Sequence, residues 1–146
     1  METVIKSFSE LTTDELFEIY KLRVSVFIVE QQCPYQDIDE ADRAAYHVYL
    51  RDGSGILAYL RVLPAGVQFD TVGIGRVIAV KRRMGYGSRV LAEGIKVALE
   101  KLNADIITVE AQTYARGLYE KAGFTQTSEE FLEDGIPHIR MERRST

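Results

Sequence analysis

The segment from Val72 to Leu102 constrains the fold more than any other part of the chain. Val72 to Val80 is rich in β-branched and other apolar residues, which favours a buried strand. Gly85 to Leu102 carries apolar residues at helical spacing, and Asn103 follows as a residue type that ends helices. The sequence therefore predicts a strand, a short glycine-containing loop and a long helix in succession.

The loop between this strand and this helix has the composition of an anion-binding site. The first amides of a helix are unpaired and carry partial positive charge, so they favour an anion such as pyrophosphate. Gly85 and Gly87 lack Cβ atoms and would let a phosphate approach, while Arg82 and Arg83 add charge beside it. Simple turn glycines are the alternative. The loop is neither a dinucleotide fingerprint nor a nucleotide-triphosphatase loop, because a third glycine and a Gly-Lys-Ser/Thr run are both missing.

Hydrophobic periodicity and turn residues predict the other elements. The predicted strands are Thr3 to Phe8, Tyr46 to Arg51, Ile56 to Leu63, Ile106 to Ala111, Phe124 to Phe131 and Ile136 to Glu142. The predicted helices are Thr13 to Val29, opened by a capping box of Thr12 and Glu15, and Thr113 to Ala122. Turns are expected at Asp52 to Gly55 and Glu133 to Gly135, and a loop at Cys33 to Arg43.

The order β-α-β-β-β-α-β-α-β-β predicts an α/β fold with a central mixed, mostly antiparallel sheet and helices on both faces. A length of 146 residues suits a single domain spanning residues 1–146. Exposed strand edges in so small a domain allow a homodimer.

Composition argues against several classes of function. The net charge is −4, whereas general nucleic-acid binders more often carry a basic excess. The chain has one cysteine, Cys33, begins without a signal-like segment and lacks an apolar run of the roughly 20 residues that cross a bilayer. We therefore expect a soluble, cytoplasmic protein without nucleic-acid or membrane partners.

The acidic loop of Asp37, Asp39, Glu40 and Asp42 invites a metal interpretation. A calcium-binding EF-hand would need a glycine at the sixth position and a distal glutamate, and neither occurs at that spacing. Two distant histidines and one cysteine give little support for zinc. We predict no metal, and interpret the loop as a capping segment that can attract a cationic amine.

Two motifs make a family resemblance specific. Arg82-x-x-Gly85-x-Gly87, after a strand, resembles the coenzyme A signature of the GNAT superfamily of N-acetyltransferases. Ala115-x-x-x-Tyr119-x-x-x-Gly123-Phe124 resembles the second motif of that superfamily. The run from Arg23 to Asp39, together with Asp134 to His138, is similar to the ElaA group within it. The resemblance implies the GNAT acyl-CoA N-acyltransferase fold, acetyl-CoA as cosubstrate and direct transfer of acetyl to a primary amine of an unknown small-molecule or peptide acceptor.

The resemblance also implies where the cofactor binds. Pantetheine would add like an extra strand beside β-strand residues, with pyrophosphate on the loop amides and an amide near Val80 facing the oxyanion. The implied cofactor-binding residues are Ile78, Ala79, Val80, Arg82, Arg83, Gly85, Tyr86, Gly87, Ser88, Gln112 and Tyr119. Two departures stand out: the connection from Val80 to Arg82 is shorter than usual, and Gln112 replaces an asparagine found in many members.

The transfer needs an acid for the leaving sulfur and a base for the amine. Tyr119 is the candidate acid, with simple packing against the sheet as the alternative. Glu30 and His138 are the candidate catalytic bases. Glu30 falls on the apolar helix face with Arg23, so the alternative is a structural charge network that also includes Arg61, Arg76 and the acidic loop. Glu110 could also reach the substrate, and a water chain could carry the proton.

Other functions remain open from the sequence. Arg23, Phe27, Asp39, Asp42, Arg61 and Arg76 also resemble a set in acyl-homoserine lactone synthases, which favours a longer-chain acyltransferase as one alternative. A non-catalytic acyl-CoA sensor and a purely structural domain are the others. Acceptor recognition is expected from Phe27 to Asp42 and from the segment around His138.

Overall fold

The computed structural model describes residues 1–81 and 83–145, and its strands form one mixed sheet. The strands are β1 (Glu2–Ser7), β2 (Tyr46–Asp52), β3 (Gly55–Leu63), β4 (Val72–Ala79), β5 (Ile106–Gln112), β6 (Thr125–Gln126), β7 (Phe131–Glu133) and β8 (Ile136–Arg144). The helices are α1 (Thr13–Arg23), α2 (Ala41–Ala44), α3 (Tyr86–Leu102) and α4 (Arg116–Lys121). The strand order is β1-β2-β3-β4-β5-β8-β6, with β7 on β8, and only β4 and β5 pair in parallel.

Alternation along the central strands gives the sheet two apolar faces, and a helix covers each. Leu60 and Val62 of β3 pack in one buried cluster with Val90 and Leu91 of α3. Tyr59, which directly precedes Leu60 on the strand, packs on the other face in a cluster that includes Ile19 of α1. The prediction of a mixed sheet with helices on both faces is confirmed.

The start of α1, the end of α3 and the turn between β2 and β3 lie where the local sequence predicted them. Thr12 and Glu15 form the expected capping box, in which each side chain accepts a hydrogen bond from the other residue's backbone N–H. Asn103 ends α3 in the left-handed conformation. The β2–β3 turn is closed by an Asp52 carboxylate oxygen that accepts from the backbone N–H of Ser54 at 2.8 Å.

The first helix departs from the predicted geometry after Arg23. From Val24 to Glu30 the chain continues as a π-helix, with i→i+5 hydrogen bonding and more residues per turn than the 3.6 of an α-helix. The smaller rotation per residue keeps Phe27 buried but turns Glu30 away from the face that Arg23 occupies, so Glu30 is exposed. The prediction that Glu30 shares a buried face with Arg23 is therefore wrong.

A bulge in β4 creates the opening on which the candidate site depends. Tyr59 pairs with Ile78 and Arg61 with Gly75, so two residues of β4 oppose a single residue of β3. Arg76 lies in this bulge with a left-handed φ of 54°. On its other side β4 pairs with β5 only at Val72 and Gly73, so the whole bulge and the residues after it are unpaired on that side. The two strands thus separate towards their C-terminal ends.

The C-terminal third differs in detail from the prediction. The strand expected from Phe124 to Phe131 is divided into β6 and β7. Ser128 interrupts the ladder, since its hydroxyl rather than a backbone carbonyl accepts the Arg140 N–H at 2.9 Å. The helix predicted from Thr113 to Ala122 is a 3₁₀ turn followed by α4, and the predicted loop of Cys33 to Arg43 contains the start of α2.

Candidate active site

The separation of β4 and β5 leaves a cavity of about 380 Å³. Its walls come from four stretches of sequence, namely 27–41, 67–77, 110–119 and 133–138, with Arg61 between them. The first and last of these match the two segments that the sequence predicted for acceptor recognition. The volume suits a small molecule or the reacting ends of larger ones.

Tyr119, the predicted acid, lies on the wall of this cavity. It lies on α4, is 6% exposed, and packs edge-to-face on Phe124 with ring centroids 5.7 Å apart. It also lines the cavity, so the same side chain is both a core residue and part of the site wall. Burial raises the pKa of the Tyr119 phenol above its ordinary value of 10.0, which keeps the hydroxyl protonated at neutral pH.

His138 also lines the cavity, and its tautomer is fixed by the backbone. It is 8% exposed on β8, and its Nδ1 lies 2.7 Å from the carbonyl oxygen of Ile136. A carbonyl only accepts hydrogen bonds, so Nδ1 carries a proton, and in the neutral ring the lone pair is on Nε2. The ring stacks on Phe131 at 25°, which sets its orientation.

Two glutamates stand beside His138 on the same wall. A carboxylate oxygen of Glu133 is 3.7 Å from His138 Nε2, and Glu110 lies on β5 with one oxygen 3.6 Å from Arg140 Nη2. Burial, reinforced by the charge of Glu110, raises the pKa of the Glu133 carboxyl above its usual value. Two carboxylates that disfavour each other's ionisation leave this part of the cavity receptive to a cation.

A buried ion-pair network supports the opposite wall. Its guanidinium groups belong to Arg23, Arg61 and Arg76, and its carboxylates to Asp37, Asp39 and Asp42. This confirms the structural network that the sequence offered as an alternative, except that Glu30 is not part of it. The charges balance three to three, so the arginines that reach the cavity wall bring little net positive charge to it.

The edge of β4 that faces β5 is open where the resemblance placed pantetheine. The Val80 N–H donates to the Leu57 carbonyl of β3 at 2.9 Å, and Ile78 pairs with Tyr59. Because the backbone direction alternates along a strand, the groups of Ala79 point to the unpaired edge. Ala79 is thus the residue with free backbone groups. The Val80 amide itself is engaged, so an oxyanion amide near Val80 would have to come from a neighbouring residue such as Ala79.

The glycine loop places the N-terminus of α3, which no side chain caps, near this edge. Gly85 has a φ of 76°, a conformation that favours glycine, and no side chain caps the first amides of α3. Tyr86 is half-buried, whereas Arg83 and Ser88 are exposed. A Cβ on Gly87 would contact Leu118 at 3.8 Å, so this glycine brings α3 close to α4. Arg82 lies outside the described residues.

A second, shallower groove of about 330 Å³ continues from this helix end between α3 and α4. Ser88, Ile95 and Leu118 line it, and Lys121 and Arg143 stand beside it as basic groups. An extended anionic molecule bound at the helix end could continue along this groove.

The remaining predicted site residues divide between those inside and those outside the cavity. Gln112 lines it, with its side-chain oxygen 3.4 Å from the Gln31 amide nitrogen. Glu30 is exposed and is absent from the lining. Gln31, Tyr114 and Glu133 are lining residues that sequence reasoning did not propose. The one available signal was the position of Glu133 in the predicted turn next to His138.

Two structural findings bear on other classes of function. Across residues 1–81 and 83–145, no group of three or more His, Cys, Asp or Glu side chains is arranged to hold a metal ion. In the same part of the chain, no helix combines the length and apolarity needed to cross a membrane.

Comparison with known proteins identifies similar chains. The family described as "Acetyltransferase (GNAT) domain" matches residues 12–145. A UPF0039 protein of Schizosaccharomyces pombe is 39% identical over 145 residues, covering 97% of this chain and 95% of that one. Protein ElaA of Escherichia coli is 34% identical over 139 residues, covering 92% and 91%.

Solved structures agree with these sequence matches. The ElaA crystal structure has a TM-score of 0.91 at 32% identity and covers 99% of this chain and 100% of that one. An acyl-CoA N-acyltransferase of Pseudomonas aeruginosa has a TM-score of 0.89 at 34% identity, covering 98% and 99%. A coenzyme A-dependent acyl-homoserine lactone synthase reaches 0.75 at 15% identity over 94% and 80%, a likeness of fold alone.

Proposed function

This chain belongs to the GNAT family of acetyltransferases and is an acyltransferase; on that premise we propose that it moves acetyl from acetyl-CoA directly to a primary amine. The observation that carries the proposal is the placement of the Tyr119 phenol on the wall of a cavity that opens beside the unpaired edge of β4. Donor and acid are then within one site, and no covalent acetyl-enzyme is required.

The donor would bind along features that need no rearrangement. Pantetheine adds to the free backbone groups of Ala79 as an additional strand. Its pyrophosphate reaches the uncapped amides at the start of α3, where the helix dipole and the positive charge of Arg83 favour an anion. The groove between α3 and α4 takes the remainder of the coenzyme, with Lys121 and Arg143 at its edge.

Tyr119 protonates the leaving group, which is the thiolate of coenzyme A. When the carbon–sulfur bond of the thioester breaks, the thiolate takes the phenolic proton. A free thiol has a pKa of about 8.5, below that of the phenol, so transfer to a fully formed thiolate would be uphill. The proton must therefore move as the bond breaks, which requires the phenol to be fixed in place before reaction. Packing of Tyr119 against Phe124 provides that rigidity.

Replacement of Tyr119 by Phe tests the proposal. The variant keeps the ring and its packing but loses the proton, so we expect kcat to fall by about 10² to 10⁴. Coenzyme A affinity, measured by calorimetry, should stay within about twofold, because the hydroxyl contributes little to ground-state binding. Tyr114→Phe removes a hydroxyl from another tyrosine that lines the cavity and serves as the matched control.

Free thiol release from acetyl-CoA with a panel of primary amines is the activity assay. Unchanged kcat in Tyr119→Phe would remove Tyr119 from the chemistry. Tight coenzyme A binding without thiol release for any amine would instead indicate a sensor. Propionyl- and hexanoyl-CoA in the same assay measure the acyl length that the cavity accepts.

A further inference from the structure

The part of the cavity wall around His138 carries carboxylates and an imidazole that have no role in binding the acetyl donor as proposed above. His138 is more than nine-tenths buried, and its Nδ1 is committed to the Ile136 carbonyl. The side chain lines the cavity, and within the described residues Nε2 has no partner at hydrogen-bond distance, the Glu133 carboxylate oxygen being 3.7 Å away. Nε2 is therefore able to accept a hydrogen bond from a ligand in the cavity.

The carboxylates beside this nitrogen exceed what the protein neutralises. Glu110 has Arg140 at 3.6 Å, but Arg140 is half-exposed and also stacks over Phe69, so this pairing is loose. Within the described residues the imidazole of His138 is the one group that could neutralise Glu133, whose other close neighbour is the Glu110 carboxyl. Asp134, which also lines the cavity, adds a third negative charge. One ammonium group would leave part of this charge uncompensated.

From this arrangement we propose that Glu110, Glu133 and His138 form the acceptor subsite for a small aliphatic amine that carries a second positive charge, such as an α,ω-diamine. The reacting ammonium gives its proton to His138 Nε2, and the distal ammonium binds between the two glutamates. This inference rests on the proposed acetyl transfer and names its substrate class.

The proton and electron balance of the step is complete with these groups. His138 takes one proton from the ammonium, and the freed nitrogen lone pair attacks the thioester carbon to form the carbon–nitrogen bond. The carbon–sulfur bond breaks, and the sulfur takes the Tyr119 proton. The tyrosinate recovers a proton from the new amide nitrogen, and the imidazolium releases its proton to solvent. One proton is released per amide formed.

The proposal gives a function to the hydrogen bond between His138 Nδ1 and the Ile136 carbonyl. If Nδ1 were the lone-pair nitrogen, His138 would face the cavity with a donor and could not accept a proton. Holding Nδ1–H on a backbone oxygen makes the base nitrogen available at the substrate side. The charged and titratable groups that surround it on neighbouring elements are Glu110, Tyr114, Tyr119, Glu133, Asp134 and Arg140.

His138→Asn separates base catalysis from structure. The asparagine amide can still donate to the Ile136 carbonyl, but the Nε2 position is lost. We expect kcat/KM for a diamine to fall by about 10² or more, and the acidic limb of its pH profile to disappear. Coenzyme A affinity and the melting temperature should change little. Retention of the wild-type rate and of the acidic limb would overturn the role of His138.

Charge recognition is tested with substrates that differ in one group. Wild-type kcat/KM is measured for α,ω-diamines of three to six carbons and for n-alkylamines of the same lengths. We expect at least one diamine to exceed its alkylamine by roughly tenfold, as for one charge-assisted hydrogen bond. Glu133→Gln and Glu110→Gln should each reduce this ratio through KM. Glu130→Gln, at an exposed glutamate directly before β7, is the matched control.

The outcomes separate the two proposals. Equal rates for diamines and alkylamines, or a ratio that survives both cavity substitutions, would overturn the acceptor subsite while leaving acetyl transfer intact. Absence of thiol release with every amine, in protein that binds coenzyme A, would refute acetyl transfer to an amine itself.

Discussion

Neutralising Asp42 should destabilise the protein more than its single lost charge suggests. One oxygen of Asp42 accepts from Arg23 Nη1 at 2.6 Å and from Arg61 Nη1 at 2.9 Å. The exposed fractions of the three side chains are 1%, 0% and 2%. Burial alone would raise the pKa of Asp42, but the hydrogen bond and charge of Arg23, followed by Arg61, hold it below the usual value. The carboxylate is therefore ionised and shared.

Asp42→Asn keeps the size of the side chain and removes this charge. The six-group network then holds three guanidinium groups and two carboxylates, so a positive charge is left buried without compensation. Removing one partner of a buried pair costs about 3 to 5 kcal/mol. Asparagine has one side-chain oxygen, whereas the second oxygen of Asp42 accepts a hydrogen bond from the Asp39 N–H at 3.2 Å. If the asparagine oxygen stays with the arginines, its NH2 group faces the Asp39 N–H. If the oxygen turns to that N–H, the arginines lose their acceptor. For a chain of this length we expect the melting temperature to fall by roughly 6 to 20 °C.

The measurement is urea unfolding at pH 7, followed by circular dichroism, with thermal melting alongside. Glu40→Gln is the matched control, because Glu40 makes an exposed pair with Arg43 at 3.1 Å. That variant should melt within about 2 °C of wild type. A loss below about 1 kcal/mol for Asp42→Asn, with an unchanged m-value, would refute the reasoning that the network depends on charge balance.

Two further predictions concern packing and pH. A Cβ on Gly94 of α3 would lie 2.8 Å from two Leu60 methyl carbons, so Gly94→Ala should lose about 1 to 2 kcal/mol in urea despite the better helix propensity of alanine. Burial opposes ionisation of Glu15, but hydrogen bonds from Thr12 and Tyr49 and the Lys6 charge lower its pKa from 4.5 to about 2. The contribution of Glu15 to stability is therefore complete above pH 4.5 and is lost as pH falls towards 2. In Glu15→Gln the melting temperature should depend less on pH over that range. An equally steep acid dependence in the variant would exclude Glu15 as its source.

Local rules recovered most of the fold from the sequence. The capping box at Thr12, the turn at Asp52 and the αL residue Asn103 each depend on a few neighbouring residues, so no tertiary information is needed to place them. The alternation that buries Tyr59 on one face and Leu60 on the other is equally local. These features determine where the helices and strands begin and end, and which face of each strand is apolar.

Glu30 shows where local periodicity fails. The sequence from Val24 to Glu30 is compatible with an α-helix, and its 3.6-residue period would align Glu30 with Arg23. The structure places the Arg23 guanidinium among buried carboxylates, and the helix widens directly after it. A π-segment of this kind reflects tertiary demands on one side chain, which no pattern within the helix records.

The β4 bulge is a second feature that depends on pairing. Arg76 adopts a φ of 54° although it is neither glycine nor asparagine, and its guanidinium is 2.7 Å from an Asp37 carboxylate oxygen. A strained backbone of this type persists only where surrounding contacts hold it. The bulge separates β4 from β5, so the cavity itself follows from a residue whose type argues against the conformation it adopts.

The acceptor wall could be predicted only in fragments for the same reason. Glu110, Glu133 and His138 are separated by up to 28 positions in the sequence, and the register of β5, β7 and β8 brings them onto one face. His138 opposes Gln112 on β5 and Phe131 on β7, which places its ring between Glu110 and Glu133. Strand register is set by the hairpin at Asp134 and Gly135, both of which have positive φ. A shift of one residue in that hairpin would turn His138 to the opposite face, so the turn that orders β7 and β8 also decides whether the His138 ring lines the cavity.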